Sequence, residues 1–156
     1  MMKYKIFKKK NLLEFEIVAL PDASTSYYLY VSTKIKEGYN QYTLTVNKFL
    51  KLMIELKASK FKLTSIELLE VDTQFEQELN KLALNQEFDK LIQRIEFLDN
   101  YEEVDLKSLT YKYDSIDNPF SFKLQNNGVI ILDKNIKNIE KLLFDTIIHP
   151  VVENDK

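Results

Sequence analysis

The sequence predicts a single α+β domain, and three observations predict it. Segments of strand period come in groups, segments of helix period stand between the groups, and no linker or low-complexity stretch divides the chain. The 156 residues suit one hydrophobic core, and 45% hydrophobic with 29% charged residues is the balance of a folded chain. One domain over residues 1–156 is therefore expected.

Lys3–Phe7 and Leu12–Ala19 read as strands joined by a hairpin tip at Lys8–Asn11; in the second, Leu13, Phe15, Ile17 and Ala19 oppose Leu12, Glu14, Glu16 and Val18. Pro21-Asp22 marks a loop. Tyr27–Ile35 alternates again, with Leu29 and Val31 on one face and Tyr28 and Tyr30 on the other, and Glu37-Gly38 turns the chain into Tyr39–Val46. These four segments predict an antiparallel β-meander. Asn47 is the expected N-cap of a helix over Lys48–Ala58 that buries Phe49, Leu50, Met53, Ile54 and Leu56.

Phe61–Val71 reads as a strand with Phe61, Leu63, Leu69 and Val71 on one face, although Thr64 and Glu67 also have the spacing of a capping box. A long helical segment follows. Thr73 with Glu76 has capping-box spacing, and the stripe Phe75, Leu79, Leu82 shifts phase before continuing as Leu84, Phe88, Leu91, Ile95 and Leu98. The shift predicts a kink or break near Asn85. Further antiparallel strands follow, carrying Leu109, Tyr111 and Tyr113, then Phe120, Phe122 and Leu124. Asn126-Asn127-Gly128 supplies the turn into Val129–Leu132. A C-terminal helix, capped by Asp133 or Asn135, carries Ile136, Ile139, Leu142, Leu143 and Ile147 and ends at Pro150. The expected core is Phe15, Ile17, Leu29, Val31, Phe49, Met53, Leu79, Leu91, Ile95, Ile139 and Leu143.

Composition argues against several chemistries. No cysteine is present, which removes thiolate ligands, thiol nucleophiles and disulfides and fits a reducing compartment. Gly38 and Gly128 are the only glycines, too few and too isolated for a phosphate-cradling loop. The single histidine, His149, reads as a helix-end side chain without an orienting partner. Glu67 and Glu70 with Lys60 or Lys62 could be drawn as a metal-dependent nuclease site, but solvated charge explains the same residues. No run of about 20 apolar residues occurs, and no apolar segment of signal-peptide length follows the five lysines of Met1–Lys10. We expect a cytoplasmic protein that is not an enzyme, with no cofactor and no metal.

The charge distribution is the functional lead. Residues 1–62 hold twelve lysines and five acids, a net +7, whereas residues 63–105 hold twelve acids against Lys81, Lys90 and Arg94, a net −9. The acids Glu67, Glu70, Asp72, Glu76, Glu78, Glu96, Asp99, Glu102, Glu103 and Asp105 form the expected protein-binding surface, directed at a basic, nucleic-acid-handling protein. That class of partner suits an inhibitor, an immunity protein or an anti-defence antagonist carried by a mobile element. A bland account, a solvated helix face, fits the same acids. The rival reading is nucleic-acid binding through Lys3, Lys5, Lys8, Lys9 and Lys10, with Tyr28 and Tyr30 stacking on bases. Against it, Arg94 is the only arginine among 22 basic residues, so bidentate recognition of phosphate or guanine is poorly supplied.

Overall fold

The computed structural model describes residues 2–9, 15–20, 26–70, 72–101, 105–114 and 119–133, without the side chains of residues 98 and 101. Within them the chain folds as β1 (Met2–Lys9), β2 (Phe15–Ala19), α1 (Tyr27–Lys36), β3 (Tyr39–Gln41), α2 (Val46–Leu56), β4 (Phe61–Leu68), α3 (Thr73–Leu84), α4 (Phe88–Tyr101), β5 (Leu106–Tyr113), β6 (Phe120–Gln125) and β7 (Val129–Leu132). This is an α+β fold. All seven strands form one antiparallel sheet in the order β2-β1-β7-β6-β5-β4, and β3 also pairs with β1. The expected C-terminal helix, with Ile139, Leu143 and His149, lies outside the described residues.

β1 organises the sheet. One edge pairs with β2 over Tyr4–Lys8; the other is shared, by β7 over Met2–Lys5 and by β3 over Phe7–Lys9. The handover occurs at Ile6, whose amide donates to the Gly128 carbonyl at 2.9 Å while its carbonyl accepts from Tyr42 N at 3.4 Å. Gly128 must be glycine twice over. Its φ is +80°, and a Cβ there would overlap the Tyr42 carbonyl oxygen.

Strand register then decides which residues form the core. Ile17, Ile6 and Tyr4, Ile130 and Leu132, Phe122 and Leu124, Leu109 and Tyr111, and Leu63 and Ile66 continue one another across the ladders and share one face. Against that face pack Phe49, Leu50, Leu52, Met53 and Leu56 of α2, Phe75, Leu79 and Ala83 of α3, and Leu91 and Ile95 of α4. The opposite face carries Lys5 and Phe7, and α1 lies there: the Phe7 ring meets Tyr30 edge-on at 6.2 Å, and Val31 is buried.

Four expectations are corrected. Tyr27–Ile35 is helix, not the third strand of a meander, because the Ser26 side chain caps Leu29 N and one helical stripe (Tyr27, Tyr30, Val31 and Lys34) packs on the sheet. Leu29 consequently points outward, 64% exposed, and Ile54 is also exposed while Leu52 is buried. The helix caps are Thr45, not Asn47, and Asp72, not Thr73, their oxygens accepting from Lys48 N at 3.3 Å and Phe75 N at 3.1 Å. In β4 the inward residues after Leu63 are Ile66 and Leu68, since a register shift between Leu63 and Ser65 reverses the alternation and leaves Leu69 outside. The break near Asn85 is present: Asn85 ends α3, and Gln86 takes a left-handed φ of 57°. Leu84 beside it is exposed, Phe15 and Ile17 are half-buried, and Phe49, Met53, Leu79, Leu91 and Ile95 are in the core.

The outer edge of β4 is closed by side chains. Asn80 of α3 accepts from Ile66 N and donates to Ile66 O, both at 2.9 Å, as a neighbouring strand would, and Glu76 Oε2 accepts from Leu68 N at 3.1 Å.

The two glycines give a stability test. Gly38 has φ +101° but open space around it, so Gly38→Ala is expected to cost only the left-handed strain of about 1–2 kcal/mol. Gly128→Ala adds the clash with Tyr42 and should cost roughly 3 kcal/mol or more. Urea denaturation of both variants checks the difference.

Candidate functional site

Glu70, just after β4, and Asp105, just before β5, lie at one end of the sheet. β4 and β5 pair through Leu68 and Leu106, and just beyond them Leu69 N donates to Asp105 O at 3.0 Å. That bond holds Leu69, and Glu70 next to it, beside Asp105. α3 and α4 run antiparallel, with the Arg94 guanidinium 5.4 Å over the Phe75 ring and its Nε 3.2 Å from Glu78.

The ten expected acids take different parts in this arrangement. Glu70, Asp72, Glu78, Glu96, Asp99 and Asp105 are exposed. Asp72 is also the α3 cap, and Glu78 is paired with Arg94. Glu76 is half-buried and spends a carboxylate oxygen on β4. Glu67 is not on this rim: it lies on the sheet face opposite α2–α4, paired with Lys123 and accepting from Ser108 Oγ at 3.0 Å. Those hydrogen bonds hold its carboxyl below the usual carboxylate range, the Lys123 bond most strongly. Glu102 and Glu103 lie outside the described residues. Among the described residues Glu70, Glu96, Asp99 and Asp105 take no part in an ion pair.

Sequence periodicity missed the apolar members of this end. Leu69, expected inside β4, is 49% exposed between the acids, and Phe97 is half-exposed beside Glu96. The signal that would have found Leu69 is the β4 bulge, which no local pattern marks.

The basic set is not assembled as expected. Lys5 is fully buried; its Nζ donates to the Asn127 carbonyl and lies 5.6 Å from the centres of the Phe7 and Tyr27 rings. Lys9 pairs with Glu16 at 3.2 Å, and Lys8 Nζ sits 5.9 Å over Phe15. Tyr30 packs on Phe7, which leaves Tyr28 and Lys3 exposed; Lys10 lies outside the described residues. The nuclease-like grouping also falls apart, because Lys62 pairs with Asp114 at the other end of β4 from Glu70, eight residues or about 26 Å of extended chain away. Among the described residues no three of His, Asp and Glu come together as metal ligands do.

Comparison with family models, with curated proteins and with solved structures finds no match for the chain.

Burial of Lys5 makes stability depend on pH. It lowers the ammonium pKa to about 8, whereas an unfolded lysine holds its proton to about 10.4. Between those values the unfolded chain binds the extra proton, so stability should rise with pH from about 8 to about 10. Above that, burial has raised Tyr27, Tyr30 and Tyr111, so their ionisation favours unfolding and turns the profile down. At the acid end, Glu16 and Glu67 have lowered values, and the stability they contribute is lost progressively as pH falls below about 4.3. In Lys5→Met the alkaline rise should vanish while the acid limb stays; thermal unfolding from pH 7 to 10 measures it.

Proposed function

We propose that the protein is a non-catalytic binding module whose acidic rim docks a basic protein partner, one whose own surface is built to handle nucleic acid. A single observation carries the reading: the Leu69–Asp105 backbone bond sets a half-exposed leucine between the exposed acids Glu70 and Asp105. An apolar anchor inside a charged surround is the usual make-up of a protein-recognition patch. Like charges gathered at one end repel in the free protein, and a cationic partner relieves that repulsion. Inhibition or antagonism of such a partner is the biological role that fits a small module of this kind.

The acids that hold the fold are separate from those that would meet a partner. Asp72 and Glu76 serve α3 and β4, and Glu78 serves Arg94. Glu70, Glu96 and Asp99 are therefore the informative positions. Reversing all three to lysine should leave stability within about 0.5 kcal/mol per site. It should weaken partner binding at least about tenfold, or about 1.4 kcal/mol. Added salt should weaken the wild-type complex, since exposed charges are screened beyond about 8 Å at physiological ionic strength.

The measurement is capture from host lysate by the wild type, by this triple variant and by a Lys3→Glu/Lys8→Glu variant, with mobility-shift assays on single- and double-stranded nucleic acid alongside. Basic proteins retained by the wild type and the lysine variant, but lost with the triple variant, are the expected result. An identical set retained by all three, or a nucleic-acid shift abolished only by the lysine substitutions, would overturn the reading.

A further inference from the structure

β4 stands last in the sheet order, and its outer edge presents the amide and carbonyl of Ile66 and the amide of Leu68. Backbone groups in such a row are a template for a strand of another chain. The stretch Leu63–Leu69 also has a composition that pairs readily: one charge, Glu67, and neither proline nor glycine. That one charge is spent on Lys123 across the outer sheet face. Lysine and proline, the usual protection of an edge, do not occur between Leu63 and Leu69.

Asn80 takes the place of a neighbouring strand residue. Its carboxamide has the donor and the acceptor of a peptide group, and both are bonded to Ile66 at 2.9 Å. The side-chain nitrogen also donates to the Glu76 carbonyl one turn back, at 2.7 Å, which sets the plane of the carboxamide. Asparagine is a poor residue for the interior of a helix, and Asn80 lies in the interior of α3, so its amide serves the strand at the expense of the helix. Glu76, one turn earlier, accepts from Leu68 N and closes the next outward group along the edge. The stripe that anchors α3 in the core is a different one, Phe75, Leu79 and Ala83.

We propose that Asn80 and Glu76 guard the β4 edge, and that what they exclude is the β4 of a second copy of this chain. An antiparallel copy answers the edge in kind: Ile66 N meets the copy's Ile66 O, and the reverse, as in any hydrogen-bonded strand pair. With both side chains truncated, α3 keeps its core stripe and the domain stays folded, but three backbone groups lose their partners. Pairing with a copy, once α3 lifts from the edge, restores them. The guard is independent of the acidic rim, because it acts on self-association and needs no other protein.

Light scattering on size-separated full chain at high micromolar concentration, with amide exchange followed at Ile66 and Leu68, is the test. Asn80→Ala/Glu76→Ala should form a species larger than the wild type. In its monomer the two amides should exchange at least about tenfold faster than in the wild type, and in the larger species they should be protected again. Glu76→Gln keeps the acceptor for Leu68 N and should behave as the wild type. Val31→Ala, which loosens α1 on the other sheet face, should lower stability without forming the larger species. Circular dichroism checks folding, and Asn80→Ala alone is read in the same way if the double variant does not fold. A folded variant that stays the size of the wild type, a larger species in which both amides exchange freely, or the same species from Val31→Ala would overturn the proposal.

Discussion

The crossing of β1 with the turn between β6 and β7 is the constraint on which the rest of the structure depends. Ile6 gives its amide to Gly128 and its carbonyl to Tyr42, Lys5 gives its ammonium to Asn127, and Leu44 N donates to Asn126 O at 2.7 Å. At this point the last described strand, the first strand and the segment leading into α2 are held together by backbone. Only a residue without a Cβ fits at position 128, because Tyr42 occupies the space. The contacts are also far apart in sequence, so forming them closes most of the chain into one loop whose entropy the core must offset.

From that crossing the functional surfaces follow. Pairing of β1 with β7 joins the N-terminal hairpin to the β4–β7 meander, and the two halves of opposite charge become parts of one sheet. The lysine-rich half spends its charge locally: Lys5 in the interior, Lys9 on Glu16, and Lys8 and Lys34 over aromatic rings. The acidic half places several carboxylates where nothing basic meets them among the described residues. An asymmetry that looked symmetrical in the sequence, plus against minus, is therefore unequal at the surface.

The later strands and α2–α4 were legible because their signals were redundant. Phe120, Phe122 and Leu124 alternate, Asn126-Asn127-Gly128 demands a turn, and the phase shift between Leu82 and Leu84 announces the break at Asn85. α1 was not legible, for a reason that its surroundings explain. With Tyr28, Leu29 and Ile35 outside and Tyr27, Tyr30 and Val31 inside, both faces are apolar and the helical period disappears, while aromatic and β-branched residues favour a strand reading. The acidic cluster could be read from composition, but its geometry could not. Glu67 went to the other sheet face and Leu69 to the surface because of one bulge, and a one-residue slip in a strand exchanges its faces without leaving a mark in the residue pattern.

Native-state hydrogen exchange tests the central constraint most directly. If the crossing holds the halves together, the amides of Ile6 and Leu44, which donate to Gly128 and Asn126, exchange only through global unfolding, with an opening free energy equal to that of the whole domain. The α1 amides, outside that crossing, exchange through smaller openings. Exchange of Ile6 and Leu44 through a local opening, while β4–β6 amides stay protected, would show that the halves are stable separately and would contradict the account.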